Sequence, residues 1–130
     1  MLLSAKRSLL LLPSAAPPPG PAENLALLQA AATRLGVPAV SENSPNWRLG
    51  LATGRDQLVV TGVISGPKIG GLPANATVFQ VIDCLPEAQR PPESAWREMA
   101  ATPVTVEMVV FEWLERGATD DFRDLIKLIR

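Results

Sequence analysis

The side chains with which this chain could do chemistry are few: the acids Asp83 and Glu107, the lone thiol Cys84, and Lys68 within residues 66–71, GPKIGG. A phosphate-binding P-loop needs four residues between its glycines, followed by Gly-Lys-Ser/Thr, so that the lysine opens a helix beside the phosphates. Here Lys68 precedes Gly70 and Gly71, and no Ser or Thr follows them. The segment behind the glycines, LPANATVFQV, reads as a strand, which offers no helix dipole to an anion. GPKIGG is therefore expected to connect two strands, with Lys68 available to an anionic group of a partner.

Asp83 and Cys84 are adjacent, so in an extended strand their side chains point to opposite faces and do not share a site. With no histidine to take its proton, Cys84 is expected to be a small packed apolar group. Asp83 and Glu107 form the remaining catalytic resource: if the strands that carry them paired, the two carboxyls would face each other as an acid/base couple. Thr119-Asp120-Asp121 has the look of a metal motif but is explained by helix capping, and Asn75-Ala76-Thr77 matches a glycosylation acceptor that matters only in the secretory pathway.

Composition narrows the function classes. The chain has 130 residues, no histidine and no tyrosine. Ser-His-Asp and Cys-His catalysis within the chain and histidine-ligated metal sites are excluded. A single cysteine allows no intrachain disulfide and no thiolate cluster, which leans towards a reducing compartment and a cytoplasmic location. Twelve basic and thirteen acidic residues give a net charge of −1, with no excess for a nucleic-acid backbone. The balance is uneven, with six basic and three acidic groups before residue 76 and six and ten after it.

The elements that must position these residues begin at Ser8–Leu12, a short apolar strand followed by the proline-rich PSAAPPPGP. Residues 1–20 are expected to be a strand or arm plus linker, and 21–130 a single α+β domain. Lys6 and Arg7 before Leu9–Leu12 leave two alternatives open, a cleaved organelle-targeting leader or a flexible tail. The apolar run is too short for a membrane span. A first helix follows from Pro21, its stripe Leu25, Leu28, Ala32 and Leu35 recurring at helical spacing, with Gly36 and Pro38 as stop signals. Trp47, Leu49 and Leu51 alternate with other residues, and TGRD is expected to turn them into a second strand, QLVVTGVIS, as a hairpin. Gly62 in that strand marks a bulge or a close backbone approach. TVFQVIDCL is expected as a third strand, Glu93–Ala101 as a short helix, and VTVEMVVFEWL as the longest strand, covered on both sides. The chain closes on an amphipathic helix capped by Thr119, with Phe122, Leu125, Ile126 and Ile129 inward and Arg123 and Lys127 outward.

The fold expected from this order is α+β: a mainly antiparallel sheet of about four to five strands packed by an N-terminal and a C-terminal amphipathic helix. In broad layout it is similar to small dimeric secretion-chaperone-like domains. The failure of every catalytic pattern points to a non-catalytic protein-binding module, an accessory subunit, adaptor or chaperone-like protein. It would need no cofactor or metal, and its partner would be another protein or a second copy. Trp96, expected to be the exposed tryptophan, would carry the partner surface with Lys68, Arg123 and Lys127. The alternative is a small carboxylate-dependent enzyme, or a domain that binds a small ligand.

Overall fold

The computed structural model describes residues 3–45, 47–63, 72–73, 75–98 and 100–114. In chain order the elements are β1 (Ser8–Leu12), α1 (Pro21–Leu35), β2 (Ala39–Ser41), a 3-10 segment (Trp47–Thr53), β3 (Gln57–Val60), β4 (Thr77–Val81), two short 3-10 turns (Ile82–Cys84 and Glu87–Gln89), α2 (Ala95–Glu98), β5 (Ala101–Val104) and α3 (Val106–Leu114). The five strands form one sheet in the order β2-β1-β3-β4-β5, and every pairing is parallel. The fold is α/β, and the antiparallel expectation is corrected. The likeness to secretion-chaperone-like domains rested on that layout and goes with it.

The strands themselves carry the reason. Residues 8–11 of β1, all of β3, and residues 78–81 of β4 are buried without alternation. Strands covered on both faces are the mark of a parallel sheet, whose crossovers lay chain over each face. Leu10, Val59, Phe79, Val81 and Val104 face α1 and α3, while Leu9, Leu11, Leu58, Val60, Val78 and Ala101 face Trp47, Leu51 and Trp96.

Two elements differ in type from the sequence expectation. The first arm of the hairpin is instead the 3-10 segment, which lays Trp47 and Leu51 on the second face of the sheet. The chain therefore crosses from β2 to the far side of β1 rather than folding back on itself. The long strand expected over 104–114 is β5 followed by α3. Its buried residues Val106, Val109, Val110, Trp113 and Leu114 recur at i, i+3, i+4, i+7 and i+8, a helical stripe that the β-branched composition disguises. Thr105 caps it, its Oγ1 accepting the Met108 N–H at 3.2 Å.

Other expectations agree. Helix α1 buries Leu25, Leu28, Ala31 and Ala32 and ends at Gly36 in the left-handed conformation, φ 74°. The closing helix expected from Thr119 lies outside the described residues, as do GPKIGG and Lys68. The short helix expected over Glu93–Ala101 is confined to α2.

The amino-terminal segment is fastened to the body. Leu3 is buried in the core, the Ser4 N–H donates to Gln57 Oε1 at 2.7 Å, and Arg55 Nη1 donates to the carbonyls of Ala5 and Ser8 at 2.8 Å each. Arg7 grips Asp56 with two parallel bonds of 2.8 and 2.6 Å, chiefly through which the Asp56 carboxyl is held below its usual range. Ser8, fully buried, accepts the Trp113 indole N–H at 2.9 Å and donates to the Ser4 carbonyl at 2.7 Å, tying β1 to α3. Ser8→Ala leaves that buried indole donor without its acceptor, and a loss of about 1–3 kcal/mol in urea denaturation is expected.

Candidate functional site

Parallel pairing brings the carboxyl ends of the strands to one edge of the sheet. Strand order 2-1-3-4-5 reverses direction between β1 and β3, and in open α/β sheets the crevice beyond such a switch point is where ligands bind. A cleft of about 210 Å³ lies there. Pro13 to Pro18 after β1, Glu42 after β2, Thr61 to Val63 after β3, and Cys84, Leu85, Pro86 and Gln89 after β4 line it.

Hydrogen bonds build the cleft from the strand ends. The Thr61 N–H and hydroxyl both donate to the Leu11 carbonyl, at 3.1 and 2.8 Å, extending the β1–β3 pairing by one residue. The Glu42 N–H donates to the Leu12 carbonyl at 2.9 Å, and its side chain turns back so that Oε1 accepts the Ser14 N–H at 2.8 Å. Gly62 sits at this convergence. A Cβ there would stand 3.0 Å from Glu42 Oε2 and 3.3 Å from Pro13 Cα, so the expected close backbone approach is present.

A solved structure shares this architecture. YcaC from Pseudomonas aeruginosa, determined with hexane-2,5-diol and covalent acrylamide, superposes with a TM-score of 0.70 at 17% identity. The match covers 98% of this chain and 91% of that one, and at this identity it shows the fold alone. No protein-family model matches the chain, and no curated protein sequence does.

The residues singled out from sequence take different places. Cys84 lines the cleft but is 2% exposed and belongs to the core on the α1 side. The 3-10 turn after β4 carries it there, off the strand alternation that would have put it with Val78. Burial, with the neighbouring Asp83 charge as a lesser cause, pushes its thiol up to about 12.

Asp83 does not face Glu107 across two strands. Its carboxylate accepts the Val106 N–H at 3.0 and 3.2 Å at the start of α3, and its carbonyl accepts Asn24 Nδ2 at 2.7 Å, so it joins α1, β4 and α3. Glu107 is exposed in the first turn of α3 and disfavours the Asp83 charge. Desolvation by burial is the larger cause, and it raises the Asp83 carboxyl above its ordinary value despite the amide bond.

Trp96 is corrected from exposed to buried, at 8% exposure among Leu9, Leu58 and Val78 on the second sheet face. Lys68, Arg123 and Lys127 lie outside the described residues. Glu42 and Ser14 were missed because VSENSPN and PSAAPPPGP read only as loops; their place at the ends of β2 and β1 gains meaning once the strands are parallel. Among the described residues no group of three His, Cys, Asp or Glu is arranged to hold a metal ion.

Two outcomes are expected. A thiolate fraction about a thousandfold below that of an exposed cysteine should make alkylation of Cys84 by iodoacetamide at neutral pH correspondingly slow in the folded protein and fast in urea. Because the folded Asp83 carboxyl is raised, its contribution is fully present at acid pH and is lost as pH rises through the folded value. Asp83→Asn keeps an acceptor for Val106 without that dependence. Its stability relative to the parent should therefore increase from acid to neutral pH in urea titrations; a gap constant with pH would contradict the assignment.

Proposed function

We propose that the protein is a non-catalytic binding domain that takes a small molecule in the cleft at the β1/β3 switch point. The observation that carries this reading is the cleft's position, where the parallel strands end and Glu42, Ser14 and Gly62 converge. At about 210 Å³ it is smaller than the roughly 300–1,000 Å³ of sites for drug-sized ligands, which suits a fragment-sized molecule. YcaC holds a small diol and a covalent acrylamide, molecules of that size. A covalent mode here would call on Cys84, whose thiol is held protonated, so reversible binding is the better-supported role. No cofactor and no nucleic acid enters this reading. Among the described residues no helix is long and apolar enough to cross a membrane. The lone cysteine supports a reducing, cytoplasmic setting.

A protein-binding role, through a second copy or another protein, is the second reading. It is favoured by Met108 and Phe111, 42% and 38% exposed on the outer side of α3.

A fragment library screened by amide chemical shifts tests the first reading. Hits should move the amides of Ser14, Thr61 and Gly62 together and saturably. Hits that leave these amides unmoved would contradict it. Light scattering tests the second: a dimer that Phe111→Glu dissociates is expected, and a monomer at all concentrations contradicts it.

A further inference from the structure

An open sheet ends in two strands whose outer main-chain groups can pair with a further strand, and proteins guard such edges. The edges of this sheet, β5 and β2, differ in that respect. Strand β5 contains Pro103, which has no N–H to offer a further strand, and Trp96 of α2 packs in one cluster with its Ala101. Strand β2, Ala39–Ser41, holds neither proline nor charge, and both Ala39 and Ser41 are exposed.

Pairing with β1 uses alternate main-chain groups of the β2 segment. The Pro38 carbonyl accepts the Leu10 N–H at 2.9 Å, Val40 stands in register with Leu11, and the Glu42 N–H donates to the Leu12 carbonyl at 2.9 Å. The groups of the intervening residues, Val37, Ala39 and Ser41, therefore point away from β1. Some of these are closed within the chain. The Val37 N–H donates to the Ala32 carbonyl at 2.8 Å, and the Ser41 carbonyl accepts the Ser44 N–H at 3.0 Å. Among the described residues the Ala39 N–H, the Ala39 carbonyl, the Ser41 N–H and the Val37 carbonyl have no partner.

We propose that this edge is a contact for a second copy of the chain, the two β2 strands pairing antiparallel about a two-fold axis at Ala39. In that register Ala39 exchanges both of its hydrogen bonds with Ala39 of the second copy, and each Ser41 N–H donates to the opposite Val37 carbonyl. The ladder would next call on the Val37 N–H and the Ser41 carbonyl, and those are the groups already closed internally. No donor or acceptor is left over. Length favours a second copy over a loose peptide. With three residues, β2 offers too few bonds to offset the ordering of a flexible chain, whereas a folded copy brings its strand already ordered. Residues 37–41 carry no charge, so the two-fold axis sets no like charges opposite each other. The contact uses neither the lining of the cleft nor the exposed Met108 and Phe111.

Charge exchange at the axis tests this on the full chain, with light scattering over a concentration series. Ala39 is exposed, so Ala39→Lys and Ala39→Glu are compatible with the fold. The parent should dimerise weakly and reversibly. Either variant alone places like charges across the axis and should dimerise at least about fivefold more weakly. An equal mixture of the two should recover the parent's affinity or exceed it. On the parent itself, the Ala39 amide should exchange with deuterium more slowly as concentration rises. In a mixture of labelled and unlabelled parent, the Pro38 and Val40 α-protons should be in contact between copies, a result that stands even if a variant does not fold. A parent that is monomeric at every concentration would overturn the proposal. So would a mixture of the variants that associates no more tightly than either alone. A dimer that Phe111→Glu dissociates and both Ala39 variants leave intact would overturn it as well, and would place the contact on α3.

Discussion

Strands β1 and β3 are buried on both faces and hydrogen-bonded on both edges, and the rest of the structure follows from that constraint. A strand in that position has no solvent side, so the chain that joins it to the next strand must pass over a face of the sheet. Helix α1 does so on one face and the Trp47–Thr53 segment on the other. The sheet is short, with strands of three to five residues, and its stability rests on these two covers more than on ladder length. Polar groups at the amino ends of the strands are closed internally by Ser8 with Trp113, Gln57 with Ser4, and Arg55 with two carbonyls. No buried polar side-chain atom among the described residues is left without a partner.

The same constraint makes the site. Parallel strands end together, so residues far apart in sequence, Ser14, Glu42, Gly62 and Cys84, meet at one edge. Their chemistry is restrained. The thiol is held protonated by burial, and the Asp83 carboxylate closes the start of α3. The Glu42 carboxylate at that edge is steadied by the Ser14 amide beside a largely apolar wall.

Local elements were legible in the sequence where one signal dominated. Helix α1 combined a 3.6-residue stripe with Gly36 as its stop, and β1 matched its expected bounds, while β3 and β4 began where expected but end at Val60 and Val81, short of the strands QLVVTGVIS and TVFQVIDCL. Strand direction was not legible. The continuous burial of SLLLL and QLVV was the available sign of parallel pairing, but the TGRD turn outweighed it and suggested a hairpin. In 106–114 seven of nine residues are apolar, too many for either periodicity to stand out, and β-branched valines tipped the reading towards a strand until the Thr105 and Asp83 caps showed a helix start. The site shared this failure. Glu42 has no motif around it and becomes a candidate only when the end of β2 is known to lie beside the end of β1. Gly62 was legible as a close approach, though its neighbours were not.

The central claim is the parallel sheet that gathers these strand ends, and backbone proton–proton contacts measured by NMR test it most directly. The account expects cross-strand contacts between β1 and β3 that advance together along both strands, Leu9 with Leu58, Leu10 with Val59 and Leu11 with Val60, and equivalent ones between β3 and β4. A ladder of close α-proton pairs running in opposite directions between residues 47–52 and 57–60 would establish the hairpin instead, and with it remove the edge on which the cleft is built.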